Sequence, residues 1–316
     1  MRRVLSIDGG GIKGAFPAAF VACIEDSLGH GIAGYFDLIV GTSTGGLIAL
    51  ALGLGVPAKK ILNFYEDYAR KIFAPKFLGL IRSVFSPKFD SKTLTSVLEG
   101  EFGSLRLGDS SQRLVIPSWS VESGELYVYK TAHSARFERD YKHLAIDVAM
   151  ATCAAPFLYP AHTSSAGVEL LDGALWANNP TGVAVVEAIG TLGWPAPDVN
   201  VLSLGCTTET LNLGGPDRSQ GLAYWARNGV SAFLAAQSAA SLGTAKVLLP
   251  RRDQVVRVSP EVASGRFRVD RAGDVPALKG LGYEEARKQL PLLREKFFQS
   301  QADEFLPFHR LEDAII

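Results

Sequence analysis

The chain has 316 residues, 47% hydrophobic and 20% charged, which excludes an intrinsically disordered protein and fits a folded one with a large core. Lys plus Arg and Asp plus Glu each number 32, so no global field draws the chain to nucleic acid, and attraction to an anionic surface must be local. The three cysteines, Cys23, Cys153 and Cys206, lack C-x-x-C spacing; no disulfide framework or zinc site is readable, and a reducing, cytoplasmic compartment fits.

The start MRRVLSIDGGG is basic, but its apolar stretch ends at Asp8, too short for the core of a signal peptide. Val4–Ile7 reads as a strand, DGGGIKG as a loop and Ala15–Leu28 as a helix broken by Gly29–Gly34. Phe36–Val40 is a second apolar strand that turns through GTSTGG into Leu47–Leu54, a helix with little polar surface and therefore buried on most sides. The window from Leu38 to Val56 approaches membrane-span length, but its glycines and hydroxyls fit a buried strand followed by a buried helix. Two strand–turn–helix units in succession predict a mainly parallel sheet with helices on both faces.

Between Asp67 and Asp90 no acidic residue occurs, while Arg70, Lys71, Lys76, Arg82 and Lys88 alternate with apolar side chains. We favour a helix packed on the core with solvated lysines; the alternative is a peripheral membrane contact through 70–89. Leu114–Val121 and Leu126–Thr131 form a hairpin, and Leu144–Cys153 a helix that stops before Pro156. Val168–Leu171 is a strand into Asp172-Gly173, and Pro180 opens a helix through Gly190. Val199–Leu204 is a core strand, Leu222–Leu249 an Ala-rich helix and Tyr283–Phe305 an amphipathic helix. With no repeat and no low-complexity linker, residues 1–316 read as one domain.

Gly9, Gly11 and Gly14 satisfy G-x-G-x-x-G, but a dinucleotide site needs an acidic residue at the end of the second strand. Asp37 begins that strand instead, and Asp8 would repel a pyrophosphate. Gly41-Thr42-Ser43-Thr44-Gly45 fits G-x-S-x-G between an apolar strand and an apolar helix, the context of a nucleophile elbow; the alternatives are an ordinary turn or a phosphate loop without its lysine. A serine nucleophile needs an oxyanion hole and a base. The unshielded N–H groups of Gly10 and Gly11 can supply the first, with the charge of Lys13 nearby. For the base, the order Ser43, Asp172, His309 satisfies a hydrolase triad, yet His309 lies in FLPFHRLED with no strand–loop context. His30, His133, His143 and His162 have no better claim. Asp172 could itself act as base if burial raised its pKa, or could merely cap a turn.

Together DGGGIKG, GTSTG and DGALWANNP resemble the oxyanion loop, nucleophile elbow and DG[GA] box of the patatin-like phospholipases, in that family's order. ATCAAPFLYPA at 151–161 and VLSLGCT at 201–207 resemble two further family segments, so the motif-supported core runs from 4 to 207. The resemblance implies a three-layer α/β/α sandwich and a Ser43–Asp172 dyad. Gly10 and Gly11, with Gly9, would form the oxyanion hole, and Lys13, Gly41, Gly45 and Gly173 would support it. It implies cleavage of fatty acyl esters of membrane phospholipids through an acyl-enzyme, with no cofactor or metal. Lys13 stands where many members have Arg, and Ala174 where many have Gly. Residues 208–316 carry no family motif.

The bacterial branch of the family includes cyclic-nucleotide-activated phospholipases of antiphage defence, so the alternative is a signal-gated effector with a small-molecule activator. Arg251, Arg252, Arg257, Arg266, Arg268 and Arg271 could bind a phosphate-bearing ligand, against the reading of a solvated β-hairpin.

Overall fold

In the computed structural model, residues 1–74, 87–210 and 221–312 are described. The strands are Arg2–Ile7 (β1), Leu38–Gly41 (β2), Arg113–Ser120 (β3), Leu126–Lys130 (β4), His162–Thr163 (β5), Glu169–Asp172 (β6), Val199–Leu204 (β7), Thr208–Glu209 (β8), Val255–Val258 (β9) and Glu261–Val262 (β10). All but β8 and β10 join one sheet in the order β5-β6-β3-β2-β1-β7-β9, with β4 paired to β3. From β3 to β9 the neighbours are parallel; β4, β5 and β6 add antiparallel pairs at one side.

The helices are Ala15–Leu28 (α1), Thr44–Gly53 (α2), Ala58–Ile72 (α3), Ser91–Phe102 (α4), Ala145–Thr152 (α5), Ala174–Ala177 (α6), Thr181–Val186 (α7), Leu222–Leu248 (α8) and Val275–Phe297 (α9). Alternation along the strands sorts the core into two layers. Leu5, Ile7, Ile39 and Ile116 pack with α1, α2 and α9, whereas Val4, Leu38, Val40, Val115, Val199 and Val201 pack with Val185 of α7 and Ala245 of α8. Both faces are covered, which is the three-layer α/β/α sandwich.

β3 is the strand that builds the site. Its first residues, Arg113–Val115, pair with β2, and Val115–Trp119 pair with β4 on the opposite edge. Ser118–Ser120 pair with β6, and since β4 already occupies one edge there, β6 takes over the edge that β2 has vacated. The chain leaving β2 at Gly41 and the end of β6 at Asp172 therefore meet at one point.

Most expected elements stand within two residues of their expected bounds, α1 and β7 without any shift. The tail differs. A helix over Tyr283–Phe305 is expected, and α9 runs over Val275–Phe297 instead, opened by a proline in its first turn. Gly280 and Gly282 hide its first turns from sequence reading, and Gly282 is needed: a Cβ there would lie 2.6 Å from the Phe16 carbonyl oxygen and 2.7 Å from Ala19 Cβ. Beyond Phe297, Phe298 turns into an aromatic cluster with Tyr35 and Phe36 and ends the helix. The 251–271 segment is not a solvated hairpin: β9 is a parallel edge strand of the central sheet, and β10 pairs with β8. The sheet thus extends past residue 207. Of the 70–89 stretch, α3 continues to Ile72, where the helix-on-core reading applies, and 75–86 lie outside the described residues. Among the described residues no helix is long and apolar enough to cross a membrane.

The close α1–α9 contact sets an expectation. Gly282→Val should destabilise the protein by about 1–3 kcal/mol through overpacking against helix backbone, read as a lower urea midpoint with an unchanged m-value.

Candidate active site

Ser43 sits between β2 and α2 with φ 56° and ψ −125°, a left-handed conformation for a side-chain-bearing residue. Such strain costs on the order of 1–3 kcal/mol and persists only where surrounding structure enforces it. Here the enforcement is visible. A Cβ at Gly41 would overlap the Gly45 carbonyl, and one at Gly45 would overlap the Ile7 carbonyl, so the turn closes only with glycine at both positions. The Ser43 N–H donates to Thr152 Oγ1 at 3.0 Å, and that hydroxyl donates to the Pro117 carbonyl at 2.7 Å. Thr42 Oγ1 donates to the Ala177 carbonyl at 2.6 Å. The elbow is thereby tied to α5, β3 and α6.

Asp172 is 1% exposed and Ser43 8%. The Ser43 hydroxyl lies beside the Asp172 carboxyl and the Cys153 thiol and favours the ionised form of each. Burial dominates at the carboxyl, raising its pKa to about 7 against the opposing hydrogen bonds from the Ala174 N–H, at 2.7 Å, and from Ser43. The other carboxylate oxygen, Oδ2, is buried with no geometrically satisfied hydrogen bond among the described residues. Burial also pushes the Cys153 thiol well up, which keeps it protonated and out of competition with Ser43. Gly173 passes so close to Pro117 that any Cβ would overlap its carbonyl.

Asp8 and the glycine loop follow β1 directly. Neither Gly10 nor Gly11 has its N–H bonded among the described residues; Gly10 caps and Gly11 opens the short helical turn Gly11–Gly14, where the first backbone donors have no partner within the turn. Gly9 differs: its N–H donates to the Asn178 carbonyl at 2.8 Å, so it fastens the loop to α6 and is not free as an oxyanion donor. Lys13 is likewise engaged, 3.7 Å from Glu209. The Ala174 departure has no consequence for Asp172, since only the backbone N–H of that residue is used.

None of the described histidines touches the pair. His309 Nε2 lies 2.7 Å from the Ala135 carbonyl and its ring stacks on Tyr141. His133 is buried against Glu187 at 2.9 Å, and His143 and His162 share Asp147. Among the described residues no three His, Cys, Asp or Glu side chains gather as a metal site. Sequence reasoning missed Thr152, whose motif segment was visible without any role for the hydroxyl, and the partner of Asp8. Arg257 Nη1 and Nη2 donate to Asp8 Oδ1 at 2.8 Å and Oδ2 at 2.5 Å. Most of the arginine-rich segment is thus already paired: Arg251 with Asp253, Arg268 with Asp270 and Arg271 with Asp274, besides Arg257.

The family model for patatin-like phospholipases matches residues 5–185. The chain belongs to the patatin-like phospholipase family. A cGAMP-activated phospholipase of Pseudomonas aeruginosa is 35% identical over 70% of this chain and 68% of its own length. One of Vibrio cholerae is 32% identical over 67% and 66%, and patatin-like protein 2 of Oryza sativa subsp. indica is 34% identical over 59% and 53%. The chain spans about two thirds of the bacterial relatives it matches. Patatin-like phospholipases are hydrolases of lipid esters, and GTSTG and DGA form two separate turns here, one after β2 and one after β6.

The strain at the elbow is measurable apart from activity. Ser43→Gly should be more stable than Ser43→Ala by about 1 kcal/mol, because both lose the hydroxyl but only glycine accepts this backbone without cost. Equal thermal midpoints for the two variants would show that Ser43 is not strained.

Proposed function

We propose that the protein is a serine lipid acyl hydrolase of the phospholipase A type, acting through Ser43 and Asp172. The observation that carries this reading is a fully buried carboxyl set beside the hydroxyl of a serine whose backbone is held strained in a strand–helix turn, with burial raising the carboxyl's pKa. Asp172 as carboxylate takes the proton from Ser43 as Oγ attacks the ester carbonyl. The Gly10 and Gly11 N–H groups receive the oxyanion. Collapse transfers the proton from Asp172 to the leaving lysolipid or alcohol oxygen and leaves Ser43 acylated. Asp172 then takes a proton from water, whose oxygen attacks the acyl carbonyl; collapse breaks the acyl–Oγ bond, returns that proton from Asp172 to Ser43 Oγ and releases the fatty acid.

Apolar side chains exposed beside the site favour a lipid over a small soluble ester. Phe157 stands 80% exposed on the loop whose Ala154 carbonyl accepts the Asp172 N–H, and Leu175, three residues past Asp172, is 43% exposed. Membrane glycerophospholipid is accordingly the substrate class, met from the membrane surface. A second reading follows from the names of the bacterial relatives, cGAMP-activated phospholipases: turnover here would wait on a cyclic dinucleotide.

Labelling by a fluorophosphonate probe and hydrolysis of a fluorogenic phospholipid in vesicles test both. Ser43→Ala should lose labelling and turnover; retention of either removes the dyad. If wild-type turnover is unchanged by cGAMP, the gated reading falls.

The pH dependence has a fixed sign. The base works as carboxylate, so kcat/KM should rise from pH 5 with a midpoint near the Asp172 pKa of about 7. The folded pKa lies above the ordinary carboxylate value, so the proton is held more tightly in the folded state. Stability is therefore lost as pH rises from about 4 through about 7. Asp172→Asn, inactive and neutral, should have a higher Tm than wild type at pH 8, the gap closing toward pH 4. A gap independent of pH would contradict the raised pKa.

A further inference from the structure

The glycine loop has few anchors of its own, and one of them comes from far along the chain. Arg257, on edge strand β9, makes a two-pronged bond to Asp8, the residue that opens the loop, and Nη1 also donates to Ser203 Oγ at 2.8 Å. Asp8 is 5% exposed, and its own N–H donates to the Leu204 carbonyl at 2.9 Å. Burial raises the Asp8 pKa while the Arg257 charge opposes the rise. Room for the guanidinium is built in: a Cβ at Gly205 would lie 2.7 Å from Arg257 Nη2 and would overlap Ser259. A second strap from the same region closes over the loop, where the Ile12 N–H donates to the Val269 carbonyl at 2.9 Å.

A buried ion pair is weak evidence for stability, since desolvation offsets most of its attraction. A forked guanidinium instead fixes direction as well as distance. Its target here is two residues before Gly10 and three before Gly11. Arg257 lies beyond the residues that the family model matches, which end at 185.

Resting on the acyl-hydrolase reading above, we infer that Arg257 is a positioning residue: by holding Asp8 it sets the Gly10 and Gly11 N–H groups where the oxyanion forms. A displacement of about 1 Å in such a group can cost on the order of a hundredfold in rate. Residues past 207 then complete the site by fixing its oxyanion loop.

The test compares full-length wild type, Arg257→Gln and Arg257→Lys by kinetics on a soluble fluorogenic ester and by hydrogen exchange. In Arg257→Gln, kcat should fall at least about tenfold with KM held within about twofold, exchange should quicken within residues 8–13 and not in β2, and Arg257→Lys should recover part of kcat. An unchanged kcat, a loss carried by KM, or faster exchange throughout the sheet overturns the assignment. Asp8→Asn gives the same comparison if Arg257→Gln does not fold. If wild type neither labels nor turns over with or without cGAMP, the hydrolase reading fails, and exchange at 8–13 alone decides whether Arg257 holds the loop.

Discussion

The site depends on the way two strands share one edge of β3. β2 pairs with its first residues and β6 with its last, on the same side, so the chain leaving β2 at Ser43 and the chain ending β6 at Asp172 converge. Neither residue has to reach for the other. Their approach is fixed by backbone ladders, with Thr152 bridging the Ser43 N–H to the Pro117 carbonyl between them. Preorganisation of this kind removes reorganisation from the chemical step.

In the proposed reaction a carboxylate takes the place of a histidine as base, and the same convergence accounts for it. An aspartate in water is too weak a base to take a serine proton near neutrality. Enclosed between β3, β6 and α6, Asp172 loses hydration and keeps one firm donor, the Ala174 N–H. Desolvation outweighs that bond and brings the pKa to about 7. The base strength comes from the missing partners as much as from those present. A second strong donor to Oδ2 would stabilise the carboxylate and weaken it as a base.

Much of this was legible in the sequence because it rests on local patterns. GTSTG between two apolar runs announces a tight strand–helix turn, and the glycines at 41 and 45 are the residues that the close backbone contact demands. DGA after an apolar strand places an acid at a strand end. Gly9 shows the limit: three glycines in a row look equivalent, and the bond to the Asn178 carbonyl separates the loop's anchor from its proposed donors. The edge-sharing on β3 has no sequence signature, because strand order is set by long-range pairing. Nor does Arg257 stand out among the arginines at 251–271, since its partner lies 249 residues away.

That long-range pairing changes what residues 208–316 are for. A stretch without motifs gives no role from sequence, but β9 extends the sheet, α9 packs on α1, and Gln237 of α8 donates to the Leu175 carbonyl beside the DGA turn. The last of these reaches the turn after Asp172, and Arg257 of β9 reaches the glycine loop. The groups of the proposed chemistry lie between residues 10 and 172, while several of the contacts that brace them come from the C-terminal part of the chain. A family motif marks the groups that react. The scaffold that aims them is under looser sequence constraint, since many side chains can fill a layer or brace a loop, and for that reason it is seen only when the chain is folded.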